Sequence, residues 1–208
     1  MPLYKTITLE NTTKVLIWKI EESYDELHKD LILTDICEQR VAKMKSEIHQ
    51  RGFLSVRQLL KCAGYKPSDL YYDKNGKPHL IDNKYISISH SFEFSAIIIS
   101  EIPVGIDVEM QRDKIQRIAN KFVDYEWSYL NEHQLTQKLS VIWCIKESLY
   151  KVFATPGMSF KQHCKVIPFA IEENKTAAWI HYHSKIEKFE AHYIPIENFM
   201  CAFVLSLQ

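Results

Sequence analysis

The 208-residue chain contains 26 lysine and arginine residues and 26 aspartate and glutamate residues, so its formal net charge at pH 7 is zero. This balance gives no electrostatic reason to expect binding to nucleic acid or to a membrane surface. Hydrophobic residues make up 46% of the chain, which is sufficient for the core of one domain or of two small ones.

The cysteines indicate a reducing compartment. They are Cys37, Cys62, Cys144, Cys164 and Cys201. An odd number of widely spaced cysteines, with no C-x-x-C pair, predicts reduced and mostly buried thiols rather than a disulfide framework or a zinc site. The N-terminal segment M-P-L-Y-K-T-I-T has neither the apolar stretch of a signal peptide nor a run of membrane-spanning length. We therefore expect a soluble cytoplasmic protein.

The chain opens with a predicted hairpin. Residues 3–9 and 14–20 are rich in β-forming side chains, and Asn11-Thr12-Thr13 between them is typical of a turn. The acidic residues 21–31 predict a short helix.

A longer helical pattern runs from Thr34, a candidate N-cap, to Gly64. Gly52 lies inside this pattern and is expected to break or bend the helix. The polar positions are rich in bases, namely Arg40, Lys43, Lys45, Arg51, Arg57 and Lys61. A row of charges on a helix is most often simply a solvated face.

A second hairpin is predicted around Asn75-Gly76, which lies between β-rich residues 70–73 and Lys77-Pro78. Taken alone, Lys77 is a solvated turn lysine. Residues 85–91 alternate apolar and polar side chains and predict a half-buried strand that ends in a polar corner at His90. A single histidine in such a place is more often structural than a ligand.

Residues 95–100, S-A-I-I-I-S, are echoed by residues 201–206, C-A-F-V-L-S. Similar terminal strands fit two related α+β halves. We place the boundary near Glu101-Ile102-Pro103, which gives an N-terminal half at 1–102 and a C-terminal half at 103–208.

The second half begins with G-I-D-V-E at residues 105–109, which predicts a strand. Asp107 and Glu109 are two residues apart, so both carboxylates project from the same side of that strand. The apolar neighbours Val104, Ile106 and Val108 indicate that the strand is largely buried.

Residues 139–154 predict a helix that contains W-C-I-K-E-S-L-Y-K and is terminated by Pro156-Gly157. Trp143, Glu147 and Lys151 recur every four residues and therefore share one stripe of this helix. If that stripe meets the side of the strand that carries the two acids, three carboxylates and a lysine converge. Such a group suits Mg²⁺, which usually keeps several waters and binds substrate phosphates.

The segments that remain predict further helices and strands. A helical pattern extends through residues 121–122 and 124–131. Residues 159–171, 177–183, 188–194 and 199–207 predict the strands of a sheet.

The two motifs G-I-D-V-E and W-C-I-K-E-S-L-Y-K, separated by residues 110–142, resemble the signature of the 4′-phosphopantetheinyl transferases. In particular they are similar to the long, Sfp-like class. The resemblance implies an α+β pseudo-dimer of two similar halves within one monomeric chain. The N-terminal half would contact the phosphates of coenzyme A, and the C-terminal half would carry the metal site and the catalytic helix.

The resemblance extends to motifs in the first half. R-G-F-L-S-V-R is similar to the segment whose arginine binds the 3′-phosphate of coenzyme A, and both Arg51 and Arg57 are candidates. G-K-P and S-I-S-H-S match segments that contact the phosphates of coenzyme A. The implied coenzyme A contacts are Arg51, Arg57, Lys77, Ser89, His90, Lys146 and Lys151.

The same resemblance implies roles for residues in the second half. Asp107, Glu109 and Glu147 would bind Mg²⁺. Asp107, Glu147 and Lys151 are the implied catalytic residues, with Glu147 also removing the proton of the acceptor serine, directly or through a water. Lys151 would stabilise the transferring phosphoryl group, with Lys146 secondary.

The implied activity is that of a holo-acyl-carrier-protein synthase. It moves the 4′-phosphopantetheine group from coenzyme A to a serine of an apo carrier protein and releases 3′,5′-ADP. One alternative is a non-catalytic module of the same fold that binds coenzyme A or a nucleotide, but the intact set of carboxylates argues against it. A Mg²⁺-dependent phosphohydrolase is a further alternative, although no motif for positioning a water is present.

Overall fold

The computed structural model of the chain describes residues 3–10, 12–155 and 157–207. The chain divides into two compact units, Met1–Glu101 (unit 1) and Ile102–Gln208 (unit 2). Each unit combines an antiparallel sheet with helices, which confirms the predicted mixture of helix and strand. The predicted likeness of the two halves to each other stays a prediction.

Unit 1 is built on a four-stranded sheet. Its helices and strands are β1 (Leu3–Thr8), β2 (Lys14–Lys19), α1 (Tyr24–Lys29), α2 (Asp35–Ala42), α3 (Glu47–Cys62), β3 (Leu70–Tyr72), β4 (Pro78–Leu80), β5 (Tyr85–Ser91) and β6 (Phe94–Ser100). The sheet has the order β1-β2-β6-β5, and β3 pairs with β4 in a separate hairpin. Both predicted hairpins are therefore confirmed, although Asn11 of the first turn lies outside the described residues.

Helix α3 packs on this sheet through residues such as Leu54, Leu59 and Leu60, which share one core with Ile97 of β6. The predicted break at Gly52 is wrong. Gly52 lies inside α3, and the interruption falls instead at residues 43–46, between α2 and α3.

Unit 2 is built on a five-stranded antiparallel sheet. Its helices and strands are β7 (Val104–Met110), α4 (Lys114–Ile118), α5 (Leu135–Phe153), α6 (Phe160–His163), β8 (Cys164–Val166), β9 (Lys175–Tyr182), β10 (Lys185–Ile196) and β11 (Phe199–Ser206). The strand order is β7-β11-β10-β9-β8, so the first strand of the unit pairs with the last.

The strand predicted for residues 159–171 is mostly wrong, because only Cys164–Val166 is strand. Ser159 begins helix α6 instead: its hydroxyl accepts a hydrogen bond from the backbone nitrogen of Gln162. Its own backbone nitrogen donates to Nδ1 of His163 at 2.8 Å. These local bonds at a helix N-terminus outweigh the β-forming character of the segment.

Helix α5 positions the candidate site. It covers the inner face of the unit 2 sheet, with Leu139, Ile142, Ile145 and Leu149 all completely buried. The helix ends at Phe153 because Ala154 adopts a left-handed conformation with φ of 46°. The helix predicted for residues 139–154 is thus confirmed, with four additional residues at its start.

The five cysteines all lie in the described part of the chain and none forms a disulfide. All except Cys62 are buried, as predicted. Among the described residues, no helix combines the length and apolar character that crossing a membrane requires.

Candidate active site

Strand β7 and helix α5 approach each other most closely at Gly105. A Cβ atom added at Gly105 would lie 2.0 Å from the backbone oxygen of Ser148 and 2.9 Å from a side-chain carbon of Val152. These separations are too short for any side chain, so this backbone approach requires glycine.

Next to this contact, the acids of β7 meet the polar stripe of α5. Nζ of Lys151 lies 2.8 Å from Oδ1 of Asp107 and also donates to the carbonyl of Ile106. Nε1 of Trp143 donates to Oε1 of Glu109 at 3.4 Å. Glu147 lies midway between Trp143 and Lys151 on the helix, so the structure brings together the residues that the two motifs supply.

The pKa of Glu147 reflects these neighbours. It is raised to about 7, mainly because the carboxyl is partly buried and further because of the negative charge of Asp107. Glu109 raises it as well, whereas the ammonium of Lys151 lowers it. Glu147 is therefore within electrostatic reach of both acids of β7, at a place where negative charge is incompletely compensated.

The acids of β7 and α5 are candidate ligands of a metal ion. Within the part of the chain that the structure describes, no group of three or more His, Cys, Asp or Glu side chains has the geometry of a formed metal centre. In this structure the cation beside Asp107 is the ammonium of Lys151. The donor chemistry nevertheless fits Mg²⁺, because carboxylate oxygens are its preferred protein ligands and the acids around Glu147 repel one another.

Trp143 holds this part of α5 in an aromatic cluster. Its ring packs edge-to-face against Phe122, with the centroids 5.0 Å apart, and against Phe160 at 5.6 Å. The indole therefore fixes the helix and contacts Glu109 at the same time.

Lys146 pairs with an acid outside the two motifs. It is completely buried, and its Nζ lies 2.7 Å from Oε1 of Glu126. It also donates to the carbonyls of Phe122 and Phe160 at 2.7 and 3.3 Å. An ammonium has three donors, and these three contacts use all of them. The coenzyme A contact that the family resemblance implies for Lys146 has no donor left in this arrangement, so the structure does not favour it.

In unit 1 the two candidate arginines have different surroundings. Arg57 is 3% exposed, and the carbon of its guanidinium lies 3.4 Å from the ring centroid of Phe53. It also donates to the carbonyl of Phe53 at 3.2 Å. Arg51 is only partly buried; it donates to the carbonyl of Ile20 at 3.1 Å and lines an open cleft.

His90 lines a neighbouring cleft of about 270 Å³ together with His49 and Gly52. The two clefts share Ile48 and Phe92, so the His90 cleft adjoins that of Arg51. A Cβ at Gly52 would lie 2.9 Å from the His90 ring, so the glycine leaves room for this histidine against α3.

The other two coenzyme A contacts predicted for unit 1 are Ser89, in β5, and Lys77, directly before β4. Ser89 is 8% exposed and precedes His90 on β5. Lys77 follows the β3–β4 turn, where its backbone nitrogen donates to Oδ1 of Asp73 at 3.0 Å. Burial lowers the pKa of Lys77, and the charge of Asp73 opposes that shift.

Three features of these sites were not predicted: the close approach at Gly105, the room that Gly52 leaves for His90, and the pairing of Lys146 with Glu126. A single glycine within an apolar strand is a recognised signal of close backbone approach, so Gly105 could have been found. The segment F-V-D-Y-E-W, which contains Glu126, also resembles a region of the family that lies between the two motifs, but nothing in the sequence pairs its glutamate with Lys146.

Comparison with known proteins shows which family the chain resembles. Residues 103–204 match the model of the 4′-phosphopantetheinyl transferase superfamily. The chain is also 30% identical over 143 residues to the curated 4′-phosphopantetheinyl transferase gsp of Aneurinibacillus migulanus, a match that covers 65% of this chain and 58% of that relative. The matched share of this chain is longer than unit 2, so the similarity extends into unit 1. The part of the chain that carries β7 and α5 is thus similar to the 4′-phosphopantetheinyl transferase superfamily.

Proposed function

We propose that this protein transfers the 4′-phosphopantetheine group of coenzyme A to a serine of an apo carrier protein, in a Mg²⁺-dependent reaction that releases 3′,5′-ADP. The observation that carries the proposal is the packing of β7 on α5, which gathers Asp107, Glu109, Glu147 and Lys151. The family match and the similarity to gsp support the same reaction. An acyl or peptidyl carrier as acceptor, the Sfp-like subclass, a pseudo-dimeric fold, a monomeric state and a cytoplasmic location belong to the proposal as predictions.

We assign Asp107, Glu109 and Glu147 as the residues that would hold Mg²⁺. When bound, this ion would neutralise the charge that develops on the pyrophosphate oxygens during transfer. Lys151 already lies beside Asp107 and would add a second positive charge next to the transferring phosphoryl group.

The acceptor serine must lose its proton as its oxygen bonds to the phosphorus that carries pantetheine. The bond from that phosphorus to the bridging oxygen breaks, and 3′,5′-ADP leaves with the bridging oxygen. Glu147 is the proposed proton acceptor, directly or through a water, because its carboxyl is within electrostatic reach of Asp107 and of the ammonium of Lys151, beside the expected position of the transferring phosphoryl group.

In unit 1 we assign the 3′-phosphate of coenzyme A to Arg51 and His90, with Ser89 and Lys77 as further phosphate contacts. Arg51 and His90 line adjoining clefts, whereas the guanidinium of Arg57 is stacked on Phe53. The planar, permanently charged guanidinium of Arg51 suits a phosphate group.

Arg51→Ala and His90→Ala are each expected to weaken coenzyme A binding by roughly ten- to a hundredfold, the effect of losing one charge-assisted hydrogen bond. Binding of 3′-dephospho-coenzyme A should hardly change, because that ligand lacks the group. Arg57→Ala should instead lower stability, since it removes a buried stacked side chain. Titration calorimetry with both ligands and thermal unfolding measure these effects.

Lys61→Ala is the matched control, because Lys61 is an exposed base in the last turn of the same helix. Equal losses for both ligands in Arg51→Ala and His90→Ala would refute the 3′-phosphate assignment. A selective loss in Arg57→Ala at unchanged stability would return the assignment to Arg57.

Release of 3′,5′-ADP that requires both Mg²⁺ and an apo carrier tests the reaction itself. A non-catalytic module would bind coenzyme A and release nothing. A phosphohydrolase would release nucleotide without any carrier. Neither alternative is favoured by a specific contact in the two units.

A further inference from the structure

The most deeply buried charges of unit 2 are Lys146 and Glu126. Their side chains are 0% and 1% exposed, and the two charged atoms lie 2.7 Å apart. Ion pairs buried to this degree are retained only with good geometry and with their remaining hydrogen bonds made, because removal of charge from water is costly.

Both partners meet this requirement. Besides Lys146, the Glu126 carboxylate accepts hydrogen bonds from the backbone nitrogens of Val166 at 3.0 Å and Asp124 at 3.2 Å. Lys146 completes its donors on the carbonyls of Phe122 and Phe160. The pair therefore joins α5 to residues 122–126, to α6 and to β8.

Glu147 lies between two completely buried neighbours. On one side Lys146 makes the ion pair. On the other, the Ser148 hydroxyl shares its proton between the carbonyl of Cys144 in α5 at 2.7 Å and that of Ala202 in β11 at 3.0 Å. The backbone oxygen of Ser148 also faces Gly105. The run K-E-S thus fixes one turn of α5 from two directions and leaves Glu147 facing the acids of β7.

We propose that Lys146 acts as a positioning residue: through its buried ion pair with Glu126 it fixes the turn of α5 that carries Glu147, and it makes no contact with coenzyme A. The catalytic part of this inference rests on the proposed function. The structural part rests on the contacts of the two side chains alone.

The test is a double-mutant cycle with Lys146→Met, Glu126→Gln and the combination of both. Lys146→Met leaves a buried carboxylate without its cation and should lower Tm by on the order of 10 °C. Glu126→Gln leaves the ammonium without its anion and should also lower Tm. In the double variant neither charge remains, so Tm should return to within a few degrees of wild type. Lys138→Met, on the same helix, is the matched control and should leave Tm unchanged.

Coenzyme A affinity distinguishes positioning from ligand binding. We expect the Kd for coenzyme A to stay within about twofold of wild type in Lys146→Met and in the double variant, because no contact with the ligand is lost. The transfer rate should fall in Lys146→Met and recover in the double variant. A phosphate contact from Lys146 would instead cost roughly tenfold or more in affinity, and the second substitution would not restore it.

A double variant that regains Tm but binds coenzyme A at least about tenfold more weakly than wild type would overturn the proposal. So would a Lys146→Met or Glu126→Gln variant with the Tm of wild type. If Lys146→Met fails to fold, the double variant still supplies the affinity measurement. If wild-type protein fails to bind coenzyme A, the proposed function fails, while the three Tm values still decide whether the pair fixes the helix.

Discussion

Glu147→Gln and Asp107→Asn are each expected to lower the transfer rate by at least about a hundredfold, in line with the loss of a principal electrostatic group. An amide keeps the shape of the carboxyl but loses the charge that a hard cation requires. Both variants should remain folded. The rates are measured at saturating Mg²⁺ with a carrier that wild-type protein modifies.

Measurements of stability distinguish a loss of transfer rate from unfolding of the variant. Burial and neighbouring acids raise the pKa of Glu147 from 4.5 to about 7, so the fold disfavours its ionised form. The contribution of this group to stability is full below pH 4.5 and is lost as the pH rises through 7. In a chelator above pH 7, Glu147→Gln should therefore be at least as stable as wild type.

Glu132→Gln, at an exposed position before α5, is the control and should leave the rate unchanged. Near-wild-type rates in either Glu147→Gln or Asp107→Asn would refute the metal assignment.

Gly105→Ala is expected to destabilise the protein by about 3 kcal/mol or more, at the upper end of overpacking effects. The added Cβ would lie 2.0 Å from a backbone oxygen, and a backbone atom cannot rotate away as a side-chain tip can. Helix α5 must then move away from β7, so the transfer rate should also fall, by at least about tenfold. Denaturant unfolding and the transfer assay measure the two effects.

Gly52→Ala provides the comparison. There the new Cβ would meet the His90 ring at 2.9 Å, and the ring can turn aside. Its stability should change little, since alanine also favours the helix by roughly 1 kcal/mol. If Gly105→Ala were as stable and as active as wild type, the close packing of β7 on α5 would be wrong.

Which side chains of the two motifs share a face could be predicted, because the periodicity of each element determines it. A spacing of two along β7 aligns Asp107 with Glu109, and a spacing of four along α5 aligns Glu147 with Lys151. The contact between strand and helix was a conditional expectation from the residues, which the family resemblance supports, and it is observed in unit 2.

Lys146 illustrates what periodicity leaves open. Its place on the helix follows from the sequence, but its partner Glu126 lies in a short 3₁₀ helix, Tyr125–Ser128, whose position depends on tertiary contacts. The choice between Arg51 and Arg57 likewise depends on tertiary contacts that the sequence does not specify. Both occupy one helix, and only the packing of Phe53 shows which guanidinium is enclosed.

Strand pairing also has a part that local sequence predicts and a part that it does not. The hairpin at Asn75-Gly76 is local and was predicted from its turn residues. The pairing of β7 with β11 joins segments from opposite ends of unit 2, and no local pattern specifies it. The short helix α6 was not predicted: Ser159 caps it through a hydrogen bond to its hydroxyl, whereas β-forming residues follow it in the sequence.

The most direct test of the proposed transfer is intact-mass measurement of a panel of apo carrier proteins after incubation with this protein, coenzyme A and Mg²⁺. We predict that at least one carrier gains the mass of a single 4′-phosphopantetheine group. The gain should be absent when the acceptor serine of that carrier is replaced by alanine, and when Glu147→Gln replaces wild-type protein. If no carrier gains mass although calorimetry shows that coenzyme A binds, the proposed transferase activity is contradicted.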